Sequence, residues 1–117
     1  MELVATVGLD KESWGQVTGL INHGTWDRVV LIKNKLALDF PVPEGVDALF
    51  IDTTHPLLEL KKYLVEKLKP LLSEFDACVS IASGTGKEHM ALISALLAIP
   101  TGIRLVAFTK NGIEFVN

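Results

Sequence analysis

Ser83-Gly84-Thr85-Gly86-Lys87 places two hydroxyls, two glycines and an ammonium within five residues, and His89 follows two positions later. The segment lies between the apolar run Ala77–Ala82 and the apolar run Met90–Ile99, the pattern of a strand, a turn and a helix. A Gly- and hydroxyl-rich turn of this kind can aim several backbone N–H groups at one point. The helix N-terminus adds a partial positive charge there, and Lys87 adds a full one. The chemistry implied is anion binding, above all of a phosphate. Lys87 and His89 are the candidate catalytic side chains, His89 as a general base or as a hydrogen-bond partner of a phosphate or nucleobase.

Other chemistries fit less well. A Walker A loop needs Gly five residues before Gly86 and Ser or Thr after Lys87, whereas Ile81 and Glu88 stand there. The dinucleotide fingerprint is absent, because Gly8 stands alone after the first apolar run. No two histidines or carboxylates have metal-ligand spacing, so neither a metal nor a cofactor is called for. The same turn also reads as a tight strand–helix connection, and His89 as a solvated or capping residue.

The elements that must position this turn alternate as in an open α/β sheet. Strands are expected at Leu3–Val7, Arg28–Ile32, Ala48–Ile51, Ala77–Ala82 and Ile103–Phe108. Helices are expected at Lys11–His23, from Pro56 to about Lys69, and over Met90–Ile99. In the first, Trp14, Val17, Leu20 and Ile21 share a face, Gly15 and Gly19 allow close packing, and Gly24 is a stop. The last is apolar nearly all round and should be buried on more than one side, under the domain or in a dimer interface. Leu36, Leu38 and Phe40 alternate as in a short edge strand, before Pro41 and Pro43. Lys110-Asn111-Gly112 is hairpin chemistry, returning Ile113–Val116 as an antiparallel partner. The fold class is thus a Rossmann-like open, mainly parallel sheet with helices on both faces and a C-terminal β-hairpin, one domain over residues 1–117.

Each strand turns polar at its C-terminal end: Gly8-Leu9-Asp10, Lys33-Asn34-Lys35, Asp52–His55, Ser83–Lys87 and Thr109-Lys110. In a parallel sheet these ends share one edge, where ligands bind at the point of strand-order reversal. If the fourth strand lies beside the first, Gly8–Ser13 faces Ser83–Lys87 across that crevice. Asp10 with Ser13 reads equally as a helix N-cap. Trp14, Trp26, His23 and His55 read as packing or helix-end residues.

Composition narrows the class. The chain has 117 residues, 49% of them hydrophobic, a net charge of −3 and a single cysteine. It can bury a core without disulfides, and Cys78, inside an apolar run, reads as a small buried hydrophobe. Scattered lysines and negative charge argue against a duplex-binding face. Met1-Glu2-Leu3-Val4 has no leader pattern and no apolar run spans a bilayer, so a soluble cytoplasmic protein is expected.

On these residues the chain resembles the CRISPR-associated Rossmann-fold (CARF) domains. The shared features are Val-Gly at the end of the first strand, a Ser/Thr-Gly turn with a basic residue after the fourth, and the terminal hairpin. The family typically has Gly-Gly-Thr-Lys/Arg followed by a Met-containing apolar helix; here the order is Ser83-Gly84-Thr85-Gly86-Lys87, then Met90, and Ile81 stands where Asp or Asn is frequent. The resemblance implies a stand-alone homodimer that binds a cyclic oligoadenylate across its two-fold axis. It implies that Lys87 contacts phosphate beside Ser83, Gly84, Thr85 and Gly86, with Gly8, Asp10 and Ser13 opposite. Some relatives cleave the ring slowly without metal, by in-line attack of a ribose 2′-OH on the adjacent phosphate. Two rivals stay open: a small α/β protein or enzyme for a mononucleotide or phosphometabolite, and a non-catalytic interaction domain docking a partner on the Met90–Ile99 helix.

Overall fold

Arg28–Asn34 shows why this sheet is central. Its apolar residues are buried on both faces of the strand, which only a sheet covered on both sides can achieve. The computed structural model describes all 117 residues. Its elements are β1 (Glu2–Val7), a single 3₁₀ turn (Lys11–Ser13), α1 (Trp14–His23), β2 (Arg28–Asn34), β3 (Asp47–Ile51), α2 (Leu57–Leu68), β4 (Asp76–Ser80), α3 (Gly86–Ala98), β5 (Gly102–Thr109) and β6 (Gly112–Phe115).

The six strands run in the order β3-β2-β1-β4-β5-β6. All neighbours pair in parallel except β5 and β6, which form the expected antiparallel hairpin. Chain order reverses at β1, so the switch point lies between β1 and β4. The α/β class and the C-terminal hairpin therefore stand as the sequence implied.

Side-chain alternation divides the core into two layers. Leu3, Ala5 and Val7 of β1 and Leu31 of β2 face α1 through Val17 and Leu20. Val4 of β1, with Val30 and Ile32 of β2, faces α2 and α3 through Leu60, Leu64, Leu68, Leu92 and Leu96. Gly19 lies directly beneath the Phe108 ring, where a Cβ would overlap it, whereas Gly15 has open space around it. Gly24 ends α1 in an extended conformation, and its missing Cβ leaves room for the Trp26 indole, whose Nε1 donates to Leu20 O at 2.7 Å.

One expectation is corrected, and one is narrowed to its second alternative. Residues 36–40 form turns rather than an edge strand: Ala37 and Phe40 plug the α1 layer while Leu36 and Leu38 face solvent. Hydrophobic alternation there records a buried ring and one buried methyl, not a pleat. The α3 helix is covered on one side only, through Ala91, Leu92, Ala95 and Leu96; Met90 and Leu97 are 58% and 64% exposed. Its all-round apolarity leaves Met90 and Leu97 uncovered by the single chain, while Ile93 is partly buried against the core. No helix is long and apolar enough to cross a membrane.

Candidate functional site

The loop after β1 and the turn after β4 meet directly at the switch point. Gly8 and Gly84 are in backbone contact, and a Cβ on Gly8 would overlap Gly84 Cα and come within 2.7 Å of its nitrogen. Gly84 has φ +100°, a conformation that non-glycine residues rarely adopt. Glycine at both positions follows from this contact: one removes the side chain that would block it, the other makes the turn.

Ser83 is fully buried at the centre. Its Oγ accepts the N–H of Gly8 at 2.9 Å and donates to Asp10 Oδ1 at 3.2 Å. The same Asp10 oxygen accepts the N–H of Gly84 at 2.9 Å. Burial raises the Asp10 pKa, but the Gly84 N–H and the Ser13 and Ser83 hydroxyls outweigh it and hold the carboxyl below its ordinary value. Asp10 is therefore no side-chain N-cap of the following turn; Ser13 instead donates its hydroxyl to Asp10 O.

Thr85 is the N-cap of α3 in a reciprocal capping box. Its Oγ accepts the N–H of Glu88, and Glu88 Oε1 accepts the N–H of Thr85 at 2.9 Å. The turn that sequence casts as an open phosphate cradle is thus partly filled by the chain's own carboxylates, Asp10 on Gly84 and Ser83, and Glu88 on Thr85. The donors left free are the N–H groups of Gly86 and Lys87, at the positive end of the α3 dipole. Lys87 is exposed and its Nζ donates to Thr53 O at 2.7 Å; it has no carboxylate partner.

His89 is half-buried rather than solvated. Its Nε2 lies 2.7 Å from Ser83 O, a carbonyl that can only accept, so Nε2 carries the proton and Nδ1 is the basic nitrogen. Thr6 donates to the same carbonyl. His89 buttresses the turn, and any proton transfer falls to Nδ1.

These elements enclose a crevice of about 340 Å³ lined by Leu9, Asp10, Asn34, Thr53, Gly84, Thr85 and Glu88. Of the sequence-derived residues, Asp10, Gly84 and Thr85 line it. Gly8, Ser13 and Ser83 support it from beneath, and Gly86 and Lys87 stand at the α3 N-terminus beside it. Asn34, Thr53 and Glu88 were not singled out. Asn34 had a signal in ending a wholly apolar strand on a polar residue, and Glu88 in the Thr-x-x-Glu spacing of a capping box. Thr53 belongs to the polar end Asp52–His55, which the pairing of β3 with β2 brings to the crevice.

Glu88 is 1% exposed, and its Oε2 meets no donor within the chain. A buried, unpartnered acceptor carries a penalty of roughly 1–3 kcal/mol. Asn34 is also buried, and its Oδ1 accepts the N–H of Leu36 at 2.9 Å. No cluster of three or more His, Cys, Asp or Glu is arranged to hold a metal.

The remaining candidates are structural. Trp14 stacks edge-on against Phe40 and donates to Gly8 O at 2.9 Å. His55 pairs with Glu59 and Asp52 at the start of α2, and His23 packs on Phe108. Cys78 is buried, and desolvation pushes its thiol pKa up, away from nucleophilic use.

An open, mainly parallel α/β sheet with its polar crevice at the β1/β4 switch point defines a Rossmann-like protein. No protein-family model matches the chain and no curated protein matches it, so its class rests on this fold and crevice.

Proposed function

We propose that the protein binds a phosphate-bearing nucleotide at the β1/β4 crevice. By its resemblance to the CARF domains, that nucleotide is a cyclic oligoadenylate shared by two copies of the chain. The observation that carries this is the α3 N-terminus: two unengaged N–H groups and an ammonium without a carboxylate partner stand together beside the crevice. Phosphate is the ligand group that such donors suit. It would seat at Gly86 and Lys87 rather than deeper in the turn, where Asp10 and Glu88 already take the donors.

The uncovered strip of α3 supports the pairing of two copies. Gly86, His89, Met90, Ile93, Ser94 and Leu97 line a shallow depression that starts at the same N-terminus. A second chain packed there would bring its own Lys87 near the first. Slow metal-independent ring opening fits such a site: a ribose 2′-OH forms a bond to the adjacent phosphorus, the P–O5′ bond breaks, and the proton passes to the leaving oxygen. Lys87 would stabilise the charge that develops on the phosphoryl oxygens.

One observation favours a second reading. A crevice of about 340 Å³ is at the small end of ligand sites, about 300–1,000 Å³, and suits a single nucleoside. A mononucleotide or phosphometabolite would need no second chain.

Thermal unfolding with cyclic tri-, tetra- and hexa-adenylate, ATP, AMP and NAD separates these readings. Ligand at 100 times its Kd stabilises the native state by about 2.7 kcal/mol. A shift with one cyclic species, absent in Lys87→Ala, supports the first reading. A shift with mononucleotides alone selects the second. No shift with any of them removes the nucleotide reading and leaves the α3 strip as a protein-docking surface.

A further inference from the structure

The sheet ends at β3 in a strand whose outer side is unpaired. Lys35 N–H donates to Ile51 O at 2.9 Å, which sets the phase: Asp47, Leu49 and Ile51 turn their backbone groups toward β2. Ala48 and Phe50 turn theirs outward, and no group of the chain meets them. The far side of the sheet is treated differently. Where β6 stops, Asn117 accepts the Leu105 N–H through Oδ1 at 2.6 Å and donates through Nδ2 to Ile103 O at 3.0 Å. One edge is thus closed by a side chain that mimics a strand, and the other is left as a template for one.

Two features flank the open backbone. On the α1 face, Phe50 is 54% exposed and the Lys33 ammonium stands 5.6 Å from the centre of its ring. Lys33 is only 6% exposed, and its ammonium meets no carboxylate and no hydrogen-bond acceptor in the chain. The buried side-chain atoms both unpartnered and closed to solvent are Ser80 Oγ and Glu88 Oε2, so the Lys33 tip is open to an incoming group. On the opposite face, Ile51, Leu60 and Tyr63 line a hollow of about 300 Å³ between β3 and α2, rimmed by Asp52, His55 and Glu59.

We infer that the β3 edge docks an extended peptide of another protein, one that alternates an acidic residue with apolar ones. Its backbone pairs with the N–H and carbonyl groups of Ala48 and Phe50. Successive side chains of an added strand point to opposite faces. The acidic residue turns to the α1 face, where its carboxylate accepts from Lys33 beside the Phe50 ring. Its apolar neighbours turn to the hollow, against Ile51, Leu60 and Tyr63. The carboxylates of Asp52 and Glu59 at that rim repel the acidic residue and so fix which face it takes. The edge serves whether or not the β1/β4 crevice holds a nucleotide.

The test is fluorescence polarisation of the full chain with labelled octapeptides in which a central Glu, Gln or Lys is flanked by Val and Tyr. The Glu peptide is expected to bind at least about tenfold more tightly than the Gln peptide, the effect of one charge-assisted contact, and the Lys peptide more weakly still. Lys33→Met keeps the buried stem and removes the ammonium, so the Glu and Gln peptides should then bind alike. Ala48→Pro removes an outward N–H that β2 does not use, a place where an edge strand accepts proline, and should weaken every peptide about tenfold. In hydrogen exchange the Ala48 and Phe50 amides should be unprotected in the protein alone and become protected when the Glu peptide is added.

Binding of none of the three peptides overturns the docking site. So does a Glu preference that survives in Lys33→Met, or an affinity unchanged in Ala48→Pro, since the peptide then sits elsewhere. Protection of the Ala48 and Phe50 amides that grows with protein concentration alone also overturns it, because the edge is then paired with a second copy. Should circular dichroism show that Ala48→Pro does not fold, Glu peptides N-methylated on one or the other set of alternate amides replace it, and undiminished binding of both is fatal.

Discussion

The carboxylate of Asp10 accepts the N–H of Gly84 at 2.9 Å, joining the loop after β1 to the turn after β4 across 74 positions of sequence. The chain itself thereby supplies negative charge to a turn built to attract it. What an incoming anion finds is the outer ring of donors, at Gly86 and Lys87.

Removing that carboxylate leaves the Gly84 N–H and the Ser83 hydroxyl without their acceptor. Asp10→Ala is expected to lower stability by about 1–3 kcal/mol in urea unfolding. Ser83→Ala acts on the same network, so the double variant should lose clearly less than the sum of the two. Full additivity would show that the two side chains act independently.

Acid should reveal the same bond. The Asp10 pKa is depressed in the folded state, so its contribution is complete above the unfolded value of about 3.9 and disappears as pH falls through the lower folded value. Stability measured from pH 6 to pH 2 should drop below about pH 4, and less steeply in Asp10→Asn. Asp52 is also held low, chiefly by the Lys35 ammonium and then by Thr54, but that ammonium is exposed. Its share should fade at high salt, while that of Asp10 persists.

The glycines should separate by what surrounds them. Gly8→Ala would drive a methyl into Gly84, and Gly84→Ala would strain a backbone at φ +100°. Each is expected to destabilise by about 1–3 kcal/mol. Gly15→Ala, in an α1 position with nothing within 4 Å, should instead stabilise by about 0.5–1 kcal/mol. Thermal melts of the three variants check the contrast in sign.

Lys87 should be dispensable for folding. It is exposed and makes one hydrogen bond, to Thr53 O. Lys87→Ala is expected to change stability by no more than about 0.5 kcal/mol. It should also abolish the ligand-induced thermal shift, and in wild-type protein that shift should shrink as salt rises. A shift undiminished in Lys87→Ala would remove the lysine from the site.

The α3 strip carries the question of assembly. Met90 and Leu97 are exposed, so Leu97→Glu should fold normally. If two copies pair through this face, sedimentation of wild-type protein should show a dimer and Leu97→Glu a monomer. A wild-type protein that is monomeric at all concentrations would confine the site to one chain.

Much of the fold was legible in the residues themselves. Arg28–Asn34 is a strand because its β-branched run suits a pleat covered on both faces, and Leu57–Leu68 a helix because Leu60, Leu64 and Leu68 recur on one side. These are local patterns, repeated along the chain at the period of the element they form. Leu36, Leu38 and Phe40 mislead for the same reason, since alternation over five residues cannot tell a pleat from a turn with a buried ring. The Ser83–Lys87 turn was likewise visible as polar chemistry between two apolar runs. Sequence determined, then, which segments are strands and helices, residues 36–40 excepted, and where the polar residues gather. Only the tertiary structure decided that β4 lies beside β1, that Asp10 fills the Gly84 donor, that Lys87 reaches Thr53, and that one Glu88 oxygen is buried without a donor. The physical reason is distance along the chain: a hydrogen bond spanning tens of residues exists only once the sheet has brought its two ends together, and no local pattern records it.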